Sequence, residues 1–63
     1  MFKYILYYDG GFMHDSADLG YTYETEEDAK EEAEMEIEGR ISDWENDCVD
    51  YDRKLFEVIV EEV

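Results

Sequence analysis

The fold turns on residues Glu24 to Asp47, ETEEDAKEEAEMEIEGRISDWEND. Ala29, Ala33, Ile37, Ile41 and Trp44 recur there at spacings of four, four, four and three. At about 100° per residue they occupy a sector roughly 120° wide, the pattern of an amphipathic helix docked on a core. Thr25 is the expected N-cap. Its hydroxyl can accept the N–H of Asp28 while the Asp28 carboxylate reaches back, a T-x-x-D form of the capping box. Glu26, Glu27 and Asp28 then fall in the first turn, where the helix dipole favours negative charge. The helix is predicted to run to about Asn46, with the alanines allowing close approach to the core and Trp44 anchoring the far end.

The remaining faces of this helix are almost wholly acidic. The stretch holds 12 of the chain's 20 acidic residues and two basic ones, Lys30 and Arg40. Glu27, Glu31, Glu34, Glu38 and Glu45 form a stripe on one flank of the apolar sector. Asp28, Glu32, Glu36 and Asp43 lie across the back and the other flank. Only Glu26–Lys30 and Glu36–Arg40 have the spacing of favourable pairs, whereas like-charge neighbours such as Glu27–Glu31 and Glu34–Glu38 each cost a few tenths of a kcal/mol. Gly39, mid-helix, costs about 1 kcal/mol relative to Ala and marks either a bend or a close approach.

Outward from the helix, Met1 to Tyr8 reads as a strand, with Phe2, Tyr4, Leu6 and Tyr8 on one face and Lys3, Ile5 and Tyr7 on the other. Both faces are largely apolar or aromatic, which suits a central strand. Asp9-Gly10-Gly11 is a turn. Residues Phe12 to Leu19 fit either a continued hairpin or an irregular loop. Gly20 to Glu24 alternates as a short second strand before the cap. After the helix, Asn46 to Arg53 is a polar connection. Lys54 to Glu62 is a third strand, with Phe56, Val58 and Val60 on one face and Leu55, Ile59, Glu57 and Glu61 on the other. The expectation is an α+β fold of order β-β-α-β. A crossover helix sets the third strand parallel to the second and leaves the first strand central, giving sheet order 2-1-3.

One helix covers one face of such a sheet. The other face would carry Ile5, Tyr7, Leu55, Ile59 and one of Tyr21/Tyr23 or Thr22, and exposed apolar patches of that kind mark interfaces. Two readings stand side by side: a dimer or partner interface, or a face shielded by the 9–20 loop.

Composition bounds the rest. Residues 1–63 are expected to form a single small domain, whose core is marginal because so short a chain buries only about 60% of its unfolded surface. Ten aromatic residues, six of them Tyr, argue for a folded core despite the net charge of −15. The single Cys48 makes no intrachain disulfide, is expected to be semi-buried and fits a reducing cytoplasm. No run spans a membrane and no signal pattern appears. The negative charge argues against direct binding of nucleic acid or an anionic membrane, and for a basic partner or cations. No cofactor is implied. Asp43, Asn46, Asp47, Asp50 and Asp52 lack the glycine and twelfth-position Glu of an EF-hand loop, and a polar loop is the plainer reading. His14, the only histidine, has no second ligand nearby in sequence and is expected at the surface. Carboxylate catalysis needs a pocket that drives two pKa values apart, which one exposed helix face does not offer, so no enzyme is expected.

Carboxylate spacing carries the sharpest functional expectation. Over roughly 36 Å of helix, 12 carboxylates give about one per 3 Å of axis, close to one phosphate per about 3.4 Å on a DNA strand. A protein with a basic nucleic-acid groove can accept such a surface in place of its substrate. Glu27, Asp28, Glu31, Glu32, Glu34, Glu36 and Glu38 are the candidate contacts. The plainer alternative is an acidic face that confers solubility. Halophilic adaptation would spread acid evenly, yet residues 1–23 hold only Asp9, Asp15 and Asp18. In size, charge and its ETEEDAKEEAEMEIE helix, the chain resembles, at class level, the small acidic proteins of phages and mobile elements that inhibit host nucleic-acid enzymes. That class includes anti-CRISPR and anti-restriction proteins and the uracil-DNA glycosylase inhibitor. The resemblance implies a non-enzymatic inhibitor acting in the host cytoplasm. No motif is shared residue by residue, so no functional residue carries over. The competing expectation is a structural or adaptor protein that homodimerises or binds a partner through Ile5, Tyr7, Leu55 and Ile59.

Overall fold

A computed structural model describes residues 1–63. Strand β1 (Phe2–Tyr8) is followed by β2 (Gly11–Asp15), a 3-10 turn at Ser16–Leu19, helix α1 (Glu26–Asn46), a 3-10 turn at Arg53–Leu55 and strand β3 (Phe56–Glu62). The sheet order is β2-β1-β3, with β1 antiparallel to both neighbours, so β2 and β3 run the same way. This is the α+β architecture expected from the sequence.

The second strand lies elsewhere than expected. It is Gly11–Asp15, the continued hairpin that is one of the two readings of residues 12–19, and not Gly20–Glu24, because the Asp9-Gly10 turn zips directly into pairing. Asp9 (φ 51) and Gly10 (φ 77) both take the left-handed conformation that a two-residue hairpin turn requires. Alternation then fails over residues 12–15 because Leu6 pairs with His14 and Tyr7 with Phe12, leaving Met13 as an extra bulged residue. Asp15 ends the strand by accepting the Ala17 N–H at 2.9 Å, and Gly20 (φ 81) closes the 3-10 turn. Of Gly20–Glu24, only Tyr23 pairs, with Phe2, through two backbone bonds of 2.7 and 2.8 Å. Between these pieces the buried Ser16 hydroxyl accepts the Tyr4 N–H at 3.1 Å.

The helix begins as expected, with Thr25 Oγ1 accepting the Asp28 N–H at 3.1 Å. The reciprocal arm from Asp28 is not formed. At the other end the N–H of Val49 donates to Trp44 O (2.8 Å) and that of Cys48 to Glu45 O (3.2 Å), with Cys48 left-handed at φ 57. This is a Schellman closure with cysteine where glycine is usual.

Ala29, Ala33, Ile37 and Ile41 are the buried face of α1. The alanines pack with Tyr4 against Phe2, Tyr23, Val58 and Val60. The isoleucines pack with Leu6 against Met13, Phe56 and Val58. Tyr23 therefore belongs to the covered face. Trp44 is half-buried and stacks on Phe56 with centroids 5.5 Å apart, edge-on to Tyr8 at 5.0 Å. The Tyr8 hydroxyl also accepts the Asp52 N–H at 2.9 Å and holds the connection after the helix. β3 starts at Phe56 rather than Lys54, because Asp52 caps a 3-10 turn through the Lys54 N–H. Gly39 has no atom within 4 Å of where a Cβ would stand, so no close approach requires it.

Candidate functional site

The seven candidate carboxylates on α1 have three different surroundings. Glu27, Asp28, Glu31 and Glu32 are exposed and make no ion pair. The expected Glu26–Lys30 pair is not formed. These four side chains occupy the first half of the helix, within about 8 Å of axis.

Glu34 and Glu38 are exposed but share a cation. Arg53, from the 3-10 turn before β3, reaches Glu34 at 3.7 Å and makes a closer contact with Glu38. The Arg53 hydrogen bond holds the Glu38 carboxyl below the ordinary carboxylate value. The outer surface of α1 is therefore not free of positive charge, as the sequence alone implied. The cation comes from 15 positions after Glu38 in the chain, beyond the reach of any local pairing rule.

Glu36 is the third case and corrects the expected outward placement. It turns toward the sheet, with its side chain 19% exposed. Its Oε1 accepts the Tyr4 hydroxyl at 2.8 Å and lies 2.5 Å from His14 Nδ1, while its Oε2 accepts from Arg40 Nε at 3.0 Å and lies 3.0 Å from Arg40 Nη2 in the same ion pair. Burial pushes the Glu36 carboxyl up, but the hydrogen bonds from Tyr4, Arg40 and His14 outweigh it and hold the group below its ordinary value. Burial, and then the bond to Glu36, raise the Tyr4 hydroxyl well above the usual tyrosine value. An ionised carboxylate only accepts, so His14 Nδ1 is the donor in this contact. His14 is thus half-buried between strand and helix rather than at the surface. Its Nε2 is buried without a partner. One signal was legible in advance: Glu36 follows Ala33 by three residues, which places it beside the buried stripe.

The face of the sheet away from α1 carries Ile5 and Tyr7 from β1, Phe12 from β2, and Ile59 from β3. Ile59 sits opposite Ile5, and Phe12 opposite Tyr7. Phe12 is 60% and Ile59 41% exposed, whereas Ile5 and Tyr7 are half-buried. Tyr7 and Phe12 meet edge to face at 6.2 Å. Phe12 was not among the expected residues because the bulged strand hid its phase. Leu55, expected on this face, lies in the 3-10 turn before β3 and is exposed there. Lys3 and Asp15 form a 2.8 Å ion pair, and Glu57 and Glu61 stand opposite Tyr7 and Lys3. From the 9–20 segment, residues 11–15 form a strand of the sheet, and Phe12 lies on this face against Tyr7.

The surface has no concave pocket, and no group of three or more His, Cys, Asp or Glu side chains is placed to hold a metal ion. Cys48 is exposed rather than semi-buried, because the helix closure turns it outward. No helix is long and apolar enough to cross a membrane. Comparison with protein-family models, with curated proteins and with solved structures gave no match.

Proposed function

We propose that this chain is a non-enzymatic binding protein, an inhibitor of the phage type that sets its acidic helix against a basic nucleic-acid-binding site on a host protein, in the manner of anti-CRISPR or anti-restriction proteins. The observation that carries this reading is the unpaired, exposed group Glu27, Asp28, Glu31 and Glu32. Four like charges crowded on two helical turns cost stability, and the three lysines and two arginines of the chain leave them unneutralised. A partner's cations would remove that repulsion. Glu34 and Glu38 extend the surface with Arg53 partly screening them, and a competing guanidinium or ammonium would have to displace it. Glu36 supports the fold and stands outside the contact set.

The test follows from that division. Glu31→Lys/Glu32→Lys removes charge where nothing inside the molecule depends on it, and leaves Glu27 and Asp28 to satisfy the helix N-terminus. The variant is expected to fold like the parent by circular dichroism. It should lose the basic nucleic-acid-binding proteins that the parent captures from host lysate, and parental capture should weaken steeply with salt and be competed by duplex DNA. Capture of the same proteins by parent and variant would refute the reading. The exposure of Phe12 and Ile59 favours the alternative, a structural or adaptor protein that homodimerises or binds through the sheet face. On that reading Ile59→Asp abolishes association and the helix variant does not.

A further inference from the structure

The outer edge of β3 is the longest stretch of backbone in the sheet without a partner strand. It spans Phe56–Glu62, seven residues, and the sheet ends there. The phase of its hydrogen bonds follows from the two ends of the β1–β3 ladder. The Asp9 N–H donates to Leu55 O and the Val63 N–H to Met1 O. In an antiparallel pair the hydrogen-bonded partners recur every second residue, so Glu57, Ile59 and Glu61 turn their backbone toward β1. Phe56, Val58, Val60 and Glu62 turn theirs away from the sheet. The Phe56 N–H is satisfied by Arg53 O within the 3-10 turn. The N–H groups of Val58, Val60 and Glu62 are left as donors, with carbonyls beside them.

The side chains along this edge have a pattern of their own. On the open face of the sheet they read Glu57, Ile59, Glu61, an apolar residue between two carboxylates, all three exposed. Natural edge strands are commonly protected by charged side chains, proline or a bulge; β3 has no lysine, proline or bulge between Phe56 and Glu62, and its charges are the carboxylates of Glu57, Glu61 and Glu62, which repel an acidic strand and attract a basic one. A second copy of the chain is a poor occupant, since each brings a net charge of −15 and carboxylates on the same edge. We infer that the outer edge of β3 is a strand-addition site for an extended segment of a basic partner, one that sets a cationic side chain beside Glu57, an apolar one beside Ile59 and a cationic one beside Glu61. Backbone bonds to Val58, Val60 and Glu62 supply the docking, and the flanking charges select the strand. This site lies on a different element from the helix carboxylates and does not depend on them.

The probe is the synthetic peptide Thr-Lys-Val-Val-Val-Lys-Thr, whose symmetry suits either strand direction, titrated into the isotopically labelled full chain. The expected result is that amide exchange at Val58, Val60 and Glu62 slows about tenfold or more at saturation. The same peptide N-methylated at alternate amides should not bind, because it cannot complete the ladder. Glu57→Lys/Glu61→Lys should weaken binding about tenfold, as two cross-strand attractions become repulsions, and Glu57→Gln/Glu61→Gln should weaken it less. Glu31→Lys/Glu32→Lys should leave it unchanged. Binding that survives N-methylation, slowed exchange absent from those three amides, or equal loss from the helix variant would each overturn the inference, by showing a cationic peptide held by charge alone.

Discussion

Replacing Glu36 by Gln separates acid that builds the fold from acid that decorates it. The Glu36 carboxylate receives Tyr4, His14 and Arg40 at 2.5 to 3.0 Å in a half-buried position. Glutamine keeps the shape and one acceptor oxygen, but sets an NH2 group against a donor, either Arg40 or the Tyr4 and His14 pair. A hydrogen bond to a charged group contributes about 1.5–3 kcal/mol, and an orphaned buried donor costs about 1–3 kcal/mol. The expected loss is about 2–4 kcal/mol, out of a total stability near 3–9 kcal/mol for a chain this short. Glu31→Gln, on the exposed face, should change stability by less than about 0.5 kcal/mol and in the favourable direction, because it relieves Glu27 and Asp28. The pH dependence adds a second readout. Glu36 has a lowered pKa in the folded state, so between that value and the ordinary 4.5 the unfolded chain binds more protons and stability rises with pH. Its contribution is full above about 4.5 and is lost as pH falls below it. The parent should therefore lose stability on this acid limb faster than Glu36→Gln, which has no carboxyl to titrate there. Urea unfolding followed by Trp44 fluorescence and circular dichroism, from about pH 7 to about pH 3, measures both effects. Equal losses for Glu36→Gln and Glu31→Gln, or parallel acid limbs, would refute the assignment of Glu36 to the core.

The other predictions concern charge, core and backbone. Melting temperature should rise as NaCl goes from low to molar concentration, because the Debye length falls from about 10 Å at 0.1 M to about 3 Å at 1 M and screens the −15 charge; a flat curve would mean that repulsion is minor. Trp44→Ala should cost about 2–3 kcal/mol, less than the 3–5 kcal/mol of a fully buried aromatic because Trp44 is half-buried against Tyr8 and Phe56, read as a fall in the urea midpoint. Gly39→Ala should raise stability by about 0.5–1 kcal/mol, since a Cβ there meets nothing within 4 Å. Cys48→Gly should add about 1 kcal/mol by relieving the left-handed backbone at φ 57, in the same unfolding assay.

What the sequence made legible was the part governed by strict periodicity. Ala29, Ala33, Ile37 and Ile41 stand at one helical period and are buried together. Phe2, Tyr4, Leu6 and Tyr8 alternate and share the face under the helix. With the Asp9-Gly10 turn, these fixed the strand order. The second strand was legible only as one of two readings of residues 12–19, because Met13 is an extra, bulged residue and period-two reasoning fails wherever one strand carries one. GYTYE alternates well, yet Ser16 already takes the β1 donor that a second strand would need, leaving only Tyr23 to pair. At the candidate site, the acidity of the helix was plain but the fate of each carboxylate was not. Arg53 and His14 approach α1 from the 3-10 turn before β3 and from β2, and a wheel drawn for one helix contains neither.

That division bears on why a small chain tolerates so much negative charge. Cations of the fold are spent where acid meets structure: Arg40 on Glu36, Lys3 on Asp15, and Arg53 on Glu38 and Glu34. Lys3–Asp15 ties β1 to β2, Arg53 ties the turn before β3 to α1, and Arg40 holds, from within α1, the carboxylate that receives Tyr4 and His14. None is spent on Glu27, Asp28, Glu31 or Glu32. Lys30, one turn from Glu26, Glu27 and Glu34, and Lys54, in the turn before β3, form no ion pair. Unpaired carboxylates lie along the whole chain, and Glu26, Glu27, Asp28, Glu31 and Glu32 are those at the N-terminal half of α1, the end where the helix dipole tolerates them at least cost. Acid that meets structure is paired, and the acid left unpaired stands exposed in solvent, where salt screens it.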